Sequence, residues 1–150
     1  MTYNKFRNTK TTVDGITFDS KSEAARYVHL KDMQASGRIQ GFDMQKEFIL
    51  LDDYRQCPKC QHVQDYDTIK CKMCRAKTFV EIGIRYKADF VVYETDGSVT
   101  VEDVKGSRNY LTPEFRDKMK WYNSMNPENK LRVVEKGTRY VKQGSRWAIV

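Results

Sequence analysis

The spacing of apolar and polar residues near the start of the chain predicts a hairpin followed by a helix. Residues 13–18 alternate around an aspartate–glycine turn, which is typical of two short paired strands. Ser20 and Glu23 then form a capping-box pattern, and Gly37 is placed to end the helix that this pattern begins. One face of the helix is expected to carry Ala24, Tyr27, Val28 and Lys31, with Leu30 and Met33 beside them.

Further along, short apolar runs predict strands and one more helix. Residues 48–51 are expected to form a buried strand, and residues 82–93 the longest strand, with its even-numbered side chains on one face. A second aspartate–glycine turn leads into a strand over 99–105, so these two strands form a hairpin. A threonine N-cap followed by proline begins a helix over 112–125. Residues 131–134 are a further strand, either parallel or antiparallel to its neighbours.

This order of elements predicts one α/β domain over residues 1–150, a small mixed β-sheet flanked by helices, with a cysteine-containing insertion at about 54–80. The 150 residues suffice for one hydrophobic core, and 31% charged with 39% hydrophobic residues is typical of a globular chain. No apolar run approaches the ~20 residues that span a bilayer, so no membrane partner is expected. The N-terminus has no secretory signal, which predicts a reducing cytoplasm.

The charge of the chain favours a polyanionic partner. Its 27 Lys and Arg residues exceed its 20 Asp and Glu residues, for a net charge of +7. Basic residues are frequent in the N-terminal tail (Lys5, Arg7, Lys10) and over 136–150, where Tyr140 and Trp147 lie among them. Such a mixture suits contacts with nucleic acid. The alternatives are a solvated tail at the start and aromatic residues packed on a sheet edge at the end.

An acidic cluster is expected where the predicted hairpin brings two strands together. Asp103 and Lys105 are two residues apart in a strand and therefore share one face, and Asp89 lies on the partner strand. Two close carboxylates repel unless a cation lies between them, and oxygen ligands suit Mg²⁺ or Mn²⁺. Lys105 is placed to orient a water or to stabilise charge on a phosphate. Glu102 points to the other face, and its replacement by Gln is expected to be nearly harmless.

Four segments in a fixed order resemble the PD-(D/E)xK nuclease superfamily. They are DGITFDSKSEAARY, YKADFVVY, VEDVKG and TPEFRDKMK, which together span roughly residues 13–134 without the cysteine insertion. Within the superfamily they are similar to a family of small, mostly phage-encoded proteins, and more distantly to phage endonucleases that resolve DNA junctions. Ala88 stands where the superfamily usually has proline, and Asp103 where it more often has glutamate.

The resemblance implies a restriction-endonuclease-like core and roles for particular residues. It implies that Glu23, Asp89 and Asp103 bind Mg²⁺ or Mn²⁺ together with the Val104 carbonyl, and that Lys105 is the catalytic lysine. Glu23 has a second reading from its position alone, because a capping-box glutamate performs a local helix-capping role. In the second helix, Arg116, Lys118 and Lys120 are the candidate DNA-binding residues, with a solvated helix face as the alternative.

The cysteine insertion predicts a second and different metal site. Cys57 and Cys60, then Cys71 and Cys74, form two CxxC pairs ten residues apart, which in a reducing compartment indicates a structural Zn²⁺ closed by four thiolates. His62 is an alternative ligand. A redox role for the CxxC pairs is the weaker reading, because nothing else in the chain resembles a thioredoxin.

Taken together, these features favour a Mg²⁺-dependent DNA endonuclease, in its narrower form a Holliday junction resolvase or branched-DNA nuclease used in phage recombination or replication. Two symmetric cuts at a junction would require a homodimer, because one chain has one catalytic cluster. The alternatives are a catalytically inactive zinc-ribbon DNA-binding protein with a nuclease fold, and an RNA-directed or purely protein-binding role.

Overall fold

The computed structural model of the protein describes residues 8–150, so Lys5 and Arg7 of the basic N-terminal tail lie outside the described residues. The chain divides into two compact units, the first formed by the residues up to Lys46 with Ala88–Val150, and the second by Glu47–Lys87. The second unit is thus wider than the insertion expected at about 54–80. Among the described residues, no helix has the length and apolar character needed to cross a membrane.

The first unit contains both helices and most of the strands. Along the whole chain the strands are β1 Thr11–Val13, β2 Ile16–Phe18, β3 Ile39–Met44, β4 Glu47–Leu51, β5 Tyr54–Gln56, β6 Val63–Asp65, β7 Phe79–Glu81, β8 Ile84–Lys87, β9 Phe90–Glu94, β10 Val99–Val104, β11 Arg132–Glu135, β12 Thr138–Gln143 and β13 Arg146–Ile149, and the helices are α1 Lys21–Ala35 and α2 Pro113–Met125. The predicted mixed sheet with two helices is confirmed.

Local signals placed the first hairpin and both helix starts correctly. β1 pairs antiparallel with β2 through a turn in which Asp14 and Gly15 have φ values of 52° and 76°, the left-handed pair that a type I′ turn requires. The side chain of Ser20 accepts a hydrogen bond from the Glu23 N–H and begins α1. Thr112 caps α2 in the same way, with proline at its first helical position.

The main sheet has six strands in the order β13-β12-β11-β10-β9-β3. β11 runs parallel to β10, so the direction left open by the sequence is settled, and α2 provides the crossover between these two strands. The remaining pairs are antiparallel. The pleat of β10 directs successive side chains to opposite faces: Val104 packs into the core beneath α1, whereas Lys105 lies over the ring of Phe115 from α2.

The single long strand expected over 82–93 is wrong. The chain forms two strands, β8 and β9, which belong to different sheets. Between them the N–H of Ala88 donates to the carbonyl of Lys46, and the carbonyl of Asp89 accepts from Gln45. Phe90, Val91 and Val92 are all buried because β9 is a central strand, and such strands need apolar residues on both faces. Two-residue alternation could not reveal this break.

Other differences concern elements with weak apolar patterns. β3 and the β12–β13 hairpin were not expected, because their sequences mix charged and apolar residues without alternation. In α1, Val28 is 43% exposed, whereas Arg26 is buried. The buried face of the helix therefore includes Arg26 and not Val28. In β4 only Leu50 is fully buried, and Ile49 is 50% exposed, so the 48–51 run forms a strand but not a buried one.

The arginine in α1 is buried because it pairs with Glu102, the most deeply buried acidic side chain described. Glu102 has no exposed surface, and its two oxygens accept from Arg26 at 2.8 Å and 2.6 Å. Arg139 of β12 donates to the same carboxylate at 2.5 Å and also pairs with Glu94. Glu102 does point away from Asp103, as expected. It joins a helix and an edge hairpin to the central strand, so it is not dispensable.

The second unit is built from two small sheets. β4 pairs with β8, and β5 lies between β6 and β7. Gly83 allows the start of β8 to approach the end of β4, since a Cβ there would lie 1.9 Å from the carbonyl oxygen of Leu51. Its N–H donates to Asp53 at 2.7 Å, and Asp53 also pairs with Arg85.

We predict that Glu102→Gln destabilises the protein by about 3 kcal/mol, because removing one partner leaves buried arginine charges uncompensated. Urea unfolding should show a lower midpoint with an unchanged slope. Glu114→Gln is the matched control: it breaks an exposed i,i+4 pair with Lys118 and should change stability by at most about 0.5 kcal/mol. Equal midpoints for the two variants would contradict the role assigned to Glu102.

Candidate functional site

The acidic site forms where the β9–β10 ladder ends. Glu102 of β10 is paired with Phe90, so the next position places Asp103 opposite Asp89. Asp89 precedes β9 by one residue, and its Oδ2 accepts a hydrogen bond from the Val104 N–H at 2.8 Å. The predicted approach of Asp89 and Asp103 is thereby realised. A carboxylate replaces the strand carbonyl that would otherwise receive this N–H.

The Val104 carbonyl faces the same side of β10 as the Asp89 carboxylate. The N–H and C=O of one strand residue point in the same direction, and the Val104 N–H points to Asp89. On the other side, β11 is bound through the Lys105 N–H, which donates to Val134 at 2.9 Å. The backbone of Val104 is therefore directed towards the acidic site rather than into the sheet.

Glu23 belongs to the first turn of α1 and has two environments. Its Oε1 accepts a hydrogen bond from the Ser20 hydroxyl at 3.2 Å, so it takes part in the cap. Desolvation raises the pKa of the Glu23 carboxyl, and the negative charges of Asp19 and Asp103 add to the effect. The side chain thus lies within the electrostatic field of Asp103 while it supports the helix start.

Lys105 is the cation of the cluster. Its ammonium lies 2.7 Å from Asp103 Oδ1 and 4.1 Å from the centre of the Phe115 ring. The ring of α2 supports one side of the ammonium through a cation–π contact. Gly106 follows, and a Cβ built on it would meet nothing within 4 Å, so the chain is open there.

Negative charge exceeds positive charge in this cluster. Desolvation and the Asp103 and Glu23 charges raise the pKa of Asp89 to about 8, against an ordinary value of 3.8, although the Val104 N–H opposes the shift. Across residues 8–150, only the four cysteines form a group of metal-binding side chains with all ligand atoms within 4.8 Å of one another. At least one pair of the three carboxylates is therefore spaced more widely, as uncompensated like charges favour.

This donor set fits a hard divalent cation. Three carboxylates and a backbone carbonyl offer oxygen ligands only, which Mg²⁺ and Mn²⁺ prefer. A cation would also remove the repulsion that raises the pKa of Asp89. The surplus negative charge and the oxygen donors therefore both suit a divalent cation.

The basic residues expected on α2 divide into two kinds. Arg116 and Lys120 are exposed, in agreement with the pattern. Lys118 is partly buried and pairs with Glu114 at 3.0 Å, so its charge is already matched. The helix offers two cations, rather than three, to a polyanion.

A basic and aromatic cluster lies on β12 and β13. Arg108, which the sequence analysis did not single out, places its guanidinium 3.5 Å from the centre of the Tyr140 ring and 5.8 Å from that of Trp147. Glu135 accepts from Arg108 at 2.6 Å, and Lys142 lies 4.9 Å from the Trp147 ring. Tyr140 and Trp147 therefore do pack on the edge hairpin, with Arg108 as their common partner.

In the second unit the four cysteines come together as expected. The sulfurs of Cys57, Cys60, Cys71 and Cys74 all lie within 4.8 Å of one another. Two sulfur pairs, Cys57–Cys74 and Cys60–Cys71, are 3.5 Å apart. Each CxxC pair has the same backbone turn: the residue after the second cysteine, Gln61 or Arg75, has φ near +65° and donates to the carbonyl of the first cysteine.

These turns direct backbone N–H groups at the first cysteine of each pair. N–H groups of Cys60 and Lys59 lower the pKa of the Cys57 thiol to about 6. At the second position, the N–H of His62 lowers the pKa of the Cys60 thiol, but desolvation and the neighbouring sulfurs, first that of Cys71, outweigh it and raise this pKa to about 12. Four thiols cannot all ionise here without a cation, so the site is suited to a soft metal such as Zn²⁺.

Two further residues shape this centre. Gln64, which the sequence analysis passed over, is buried and joins the loop between the CxxC pairs through bonds to Thr68, Lys70 and Lys72. His62, the alternative ligand, is not in the ligand group, and its carbonyl accepts from the Cys57 N–H. The basic side chains around the centre are exposed, and one of them, Lys72, pairs with Asp65. The set comprises Lys59, Lys70, Lys72, Arg75 and Lys77.

Comparison with known proteins places nearly the whole chain in one family. Residues 3–142 match the model of the family described as "Protein of unknown function (DUF1064)". The chain belongs to this family. No curated protein matches the chain, and no solved structure does. The matched residues include both the acidic site and the four cysteines.

The cysteine geometry predicts about one Zn²⁺ per chain after extensive dialysis, measured by elemental analysis. Cys74→Ser should lose most of this zinc and lower the unfolding temperature of the second unit, since a small unit with few buried apolar residues depends on its metal. Zinc-free wild-type protein that keeps the same near-UV circular dichroism and unfolding temperature would contradict the structural role.

Asp89 predicts a pH dependence of stability in EDTA. Its pKa in the folded chain is about 8 and its ordinary value 3.8, so the folded state binds the proton more tightly. The proton on Asp89 therefore stabilises the folded state. This contribution is fully present below about pH 4 and is lost as the pH rises towards and through 8. Asp89→Asn keeps an acceptor for the Val104 N–H without the charge, so it should unfold several degrees higher than wild type at pH 9 and lose less stability between pH 5 and 9. Added Mg²⁺ should stabilise wild type more than the variant. Parallel pH profiles would contradict the assignment.

Proposed function

We propose that this protein is a metal-dependent nuclease that hydrolyses phosphodiester bonds in DNA, built on a restriction-endonuclease-like core. The observation that carries the proposal is the meeting of Glu23 of α1, Asp89 just before β9, and Asp103 and Lys105 at the end of β10. Burial and the neighbouring acids raise the pKa of Asp89 to about 8. Strongly perturbed acids beside a lysine are typical of catalytic sites and rare on ordinary surfaces. The mixed sheet with two helices and the resemblance of its four segments to PD-(D/E)xK nucleases support the same proposal.

Glu23, Asp89, Asp103 and the Val104 carbonyl would hold Mg²⁺ or Mn²⁺. When bound, such an ion supplies a more acidic water and draws charge from a phosphoryl oxygen. Asp89 is kept in place by the Val104 N–H, Glu23 by the cap of α1 and Asp103 by Lys105, so the three acids are oriented before any ligand binds. Preorganised charges of this kind avoid reorganisation during the reaction.

Hydrolysis joins a water oxygen to phosphorus while the phosphorus–oxygen bond to the leaving nucleotide breaks and the leaving oxygen gains a proton. Lys105 is suited to stabilise the negative charge that grows on the phosphoryl oxygens. Its ammonium is held between Asp103 and Phe115, which limits its motion. A fixed cation at this position stabilises the transition state more than the substrate.

Substrate contacts are proposed for exposed cations in the first unit. Arg116 and Lys120 extend from α2, whose Phe115 contacts the catalytic lysine, so the same helix would link backbone binding to the site. Lys118 is matched by Glu114 and contributes less. Branched DNA and a homodimer form the narrower proposal, because a chain with a single cluster of this kind cuts one strand at a time.

The test is a cleavage assay on a four-way junction, a flap, linear duplex and single strand with Mg²⁺, Mn²⁺ or EDTA. We expect metal-dependent cutting that falls about 100-fold or more in Asp103→Asn and Lys105→Met, the usual effect of removing one transition-state stabiliser. Asp32→Asn removes an exposed acid of α1 and is the matched control. DNA affinity in EDTA should stay within a few-fold of wild type in all three variants.

The substrate panel also separates the alternatives. DNA binding without cutting on any substrate, with either metal, would favour a catalytically inactive zinc-containing DNA-binding protein. A strict monomer that cuts linear duplex as readily as a junction would leave the nuclease proposal in place and eliminate the resolvase. Cutting that continues unchanged in both Asp103→Asn and Lys105→Met would contradict the assigned site.

A further inference from the structure

A cavity of about 260 Å³ lies in the first unit on the α1 side of the sheet. Its wall includes residues next in sequence to the acidic site: Ser22 precedes Glu23, and Gly106 follows Lys105. The ionisable side chains that line it are all basic, namely Arg26, His29 and Lys136. No carboxylate is among the lining residues, so the charged side chains that line the cavity are all positive.

Two of these basic residues are fixed relative to one another. Arg26 is held by Glu102, and its Nη1 lies 3.1 Å from His29 Nδ1. A guanidinium can only donate, so His29 Nδ1 must accept and its proton resides on Nε2. Desolvation and the Arg26 charge lower the pKa of His29, in agreement with a neutral ring. His29 therefore has one N–H left to donate.

The third basic residue occupies an unfavourable backbone position. Lys136 and Gly137 form the turn between β11 and β12, with φ values of 48° and 80°. A turn of this kind favours asparagine, aspartate or glycine at its first position, and a long side chain there is strained. The first hairpin has the favourable choice, Asp14, at the equivalent position. The lysine costs stability where it stands, but it adds a basic residue to the lining of the cavity.

We propose that this cavity binds a phosphate group of the nucleic acid substrate, with Lys136, the His29 Nε2–H and the Ser22 hydroxyl as donors. The proposal rests on the proposed function for the source of the phosphate. Arg26 contributes its positive field while its side chain remains bound to Glu102.

The first test uses inorganic phosphate and the full chain in EDTA. The chain has two histidines, so the imidazole C–H signals of His29 are assigned with His62→Gln. Phosphate at constant ionic strength should shift the His29 signal to saturation. Lys136→Asn should weaken this binding about tenfold, the effect of one charged contact, and should also raise the unfolding temperature, because asparagine suits the turn. Lys10→Asn removes an exposed charge that does not line the cavity, and should alter neither property.

This pair of readouts separates a binding role from a structural one. A turn residue without a binding role would gain stability on replacement and leave the phosphate titration unchanged, which would overturn the proposal. A His29 signal that phosphate does not move, or moves no differently from added chloride, would overturn it as well. Neither result depends on cleavage, so failure of the nuclease proposal is detected separately by the cleavage assay.

The second test identifies the source of the phosphate. Binding of short oligonucleotides in EDTA is compared for hydroxyl, 5′-phosphate and 3′-phosphate ends. An equal loss of affinity in Lys136→Asn for all three, with a salt slope lower by about one, identifies an internal phosphodiester. A loss confined to one phosphorylated end identifies a terminal phosphate. No loss for any oligonucleotide would contradict the proposal.

Discussion

A fully buried glutamate, Glu102, joins the elements on which the acidic site depends. Its carboxylate is shared between Arg26 of α1 and Arg139 of β12, so one side chain ties a helix and an edge hairpin to the central strand. Desolvating these charges is costly, and only a complete set of hydrogen bonds offsets that cost. A different placement of α1 would leave a buried charge unpaired. The network therefore favours the one helix position from which Glu23 meets the field of Asp103.

β10 has paired charge on one face and surplus negative charge on the other. Glu102 and Val104 point towards α1, whereas Asp103 and Lys105 point the other way. On the first side the Glu102 carboxylate is matched by Arg26 and Arg139. On the second, acids exceed the one lysine, and the pKa of Asp89 rises to about 8 as a result. Concentrating like charges in this way weakens the folded state, and such local instability is typical of sites selected for binding or catalysis.

The second unit follows a different principle. It has few buried apolar residues, and its geometry centres on sulfur. Repeated CxxC turns aim N–H groups at Cys57 and Cys71, so the thiolate form is favoured before a metal arrives. Metal coordination would replace a hydrophobic core as the source of order in this unit. The protein thus combines a cluster of carboxylates with a cluster of thiols, and oxygen and sulfur atoms suit cations of different hardness.

The sequence by itself determined the features that depend on neighbouring residues. The caps at Ser20 and Thr112, the glycine turns and the CxxC pairs act over four residues or fewer, and the structure has them where the pattern predicted. The tertiary structure decided the rest. The break between β8 and β9, the burial of Arg26 and Glu102, and the cavity beside Lys136 arise from contacts between residues far apart in the chain. Periodicity reports which residues are apolar, but it cannot report which distant charge will neutralise a buried one, and that pairing sets where the helix and the acidic site lie.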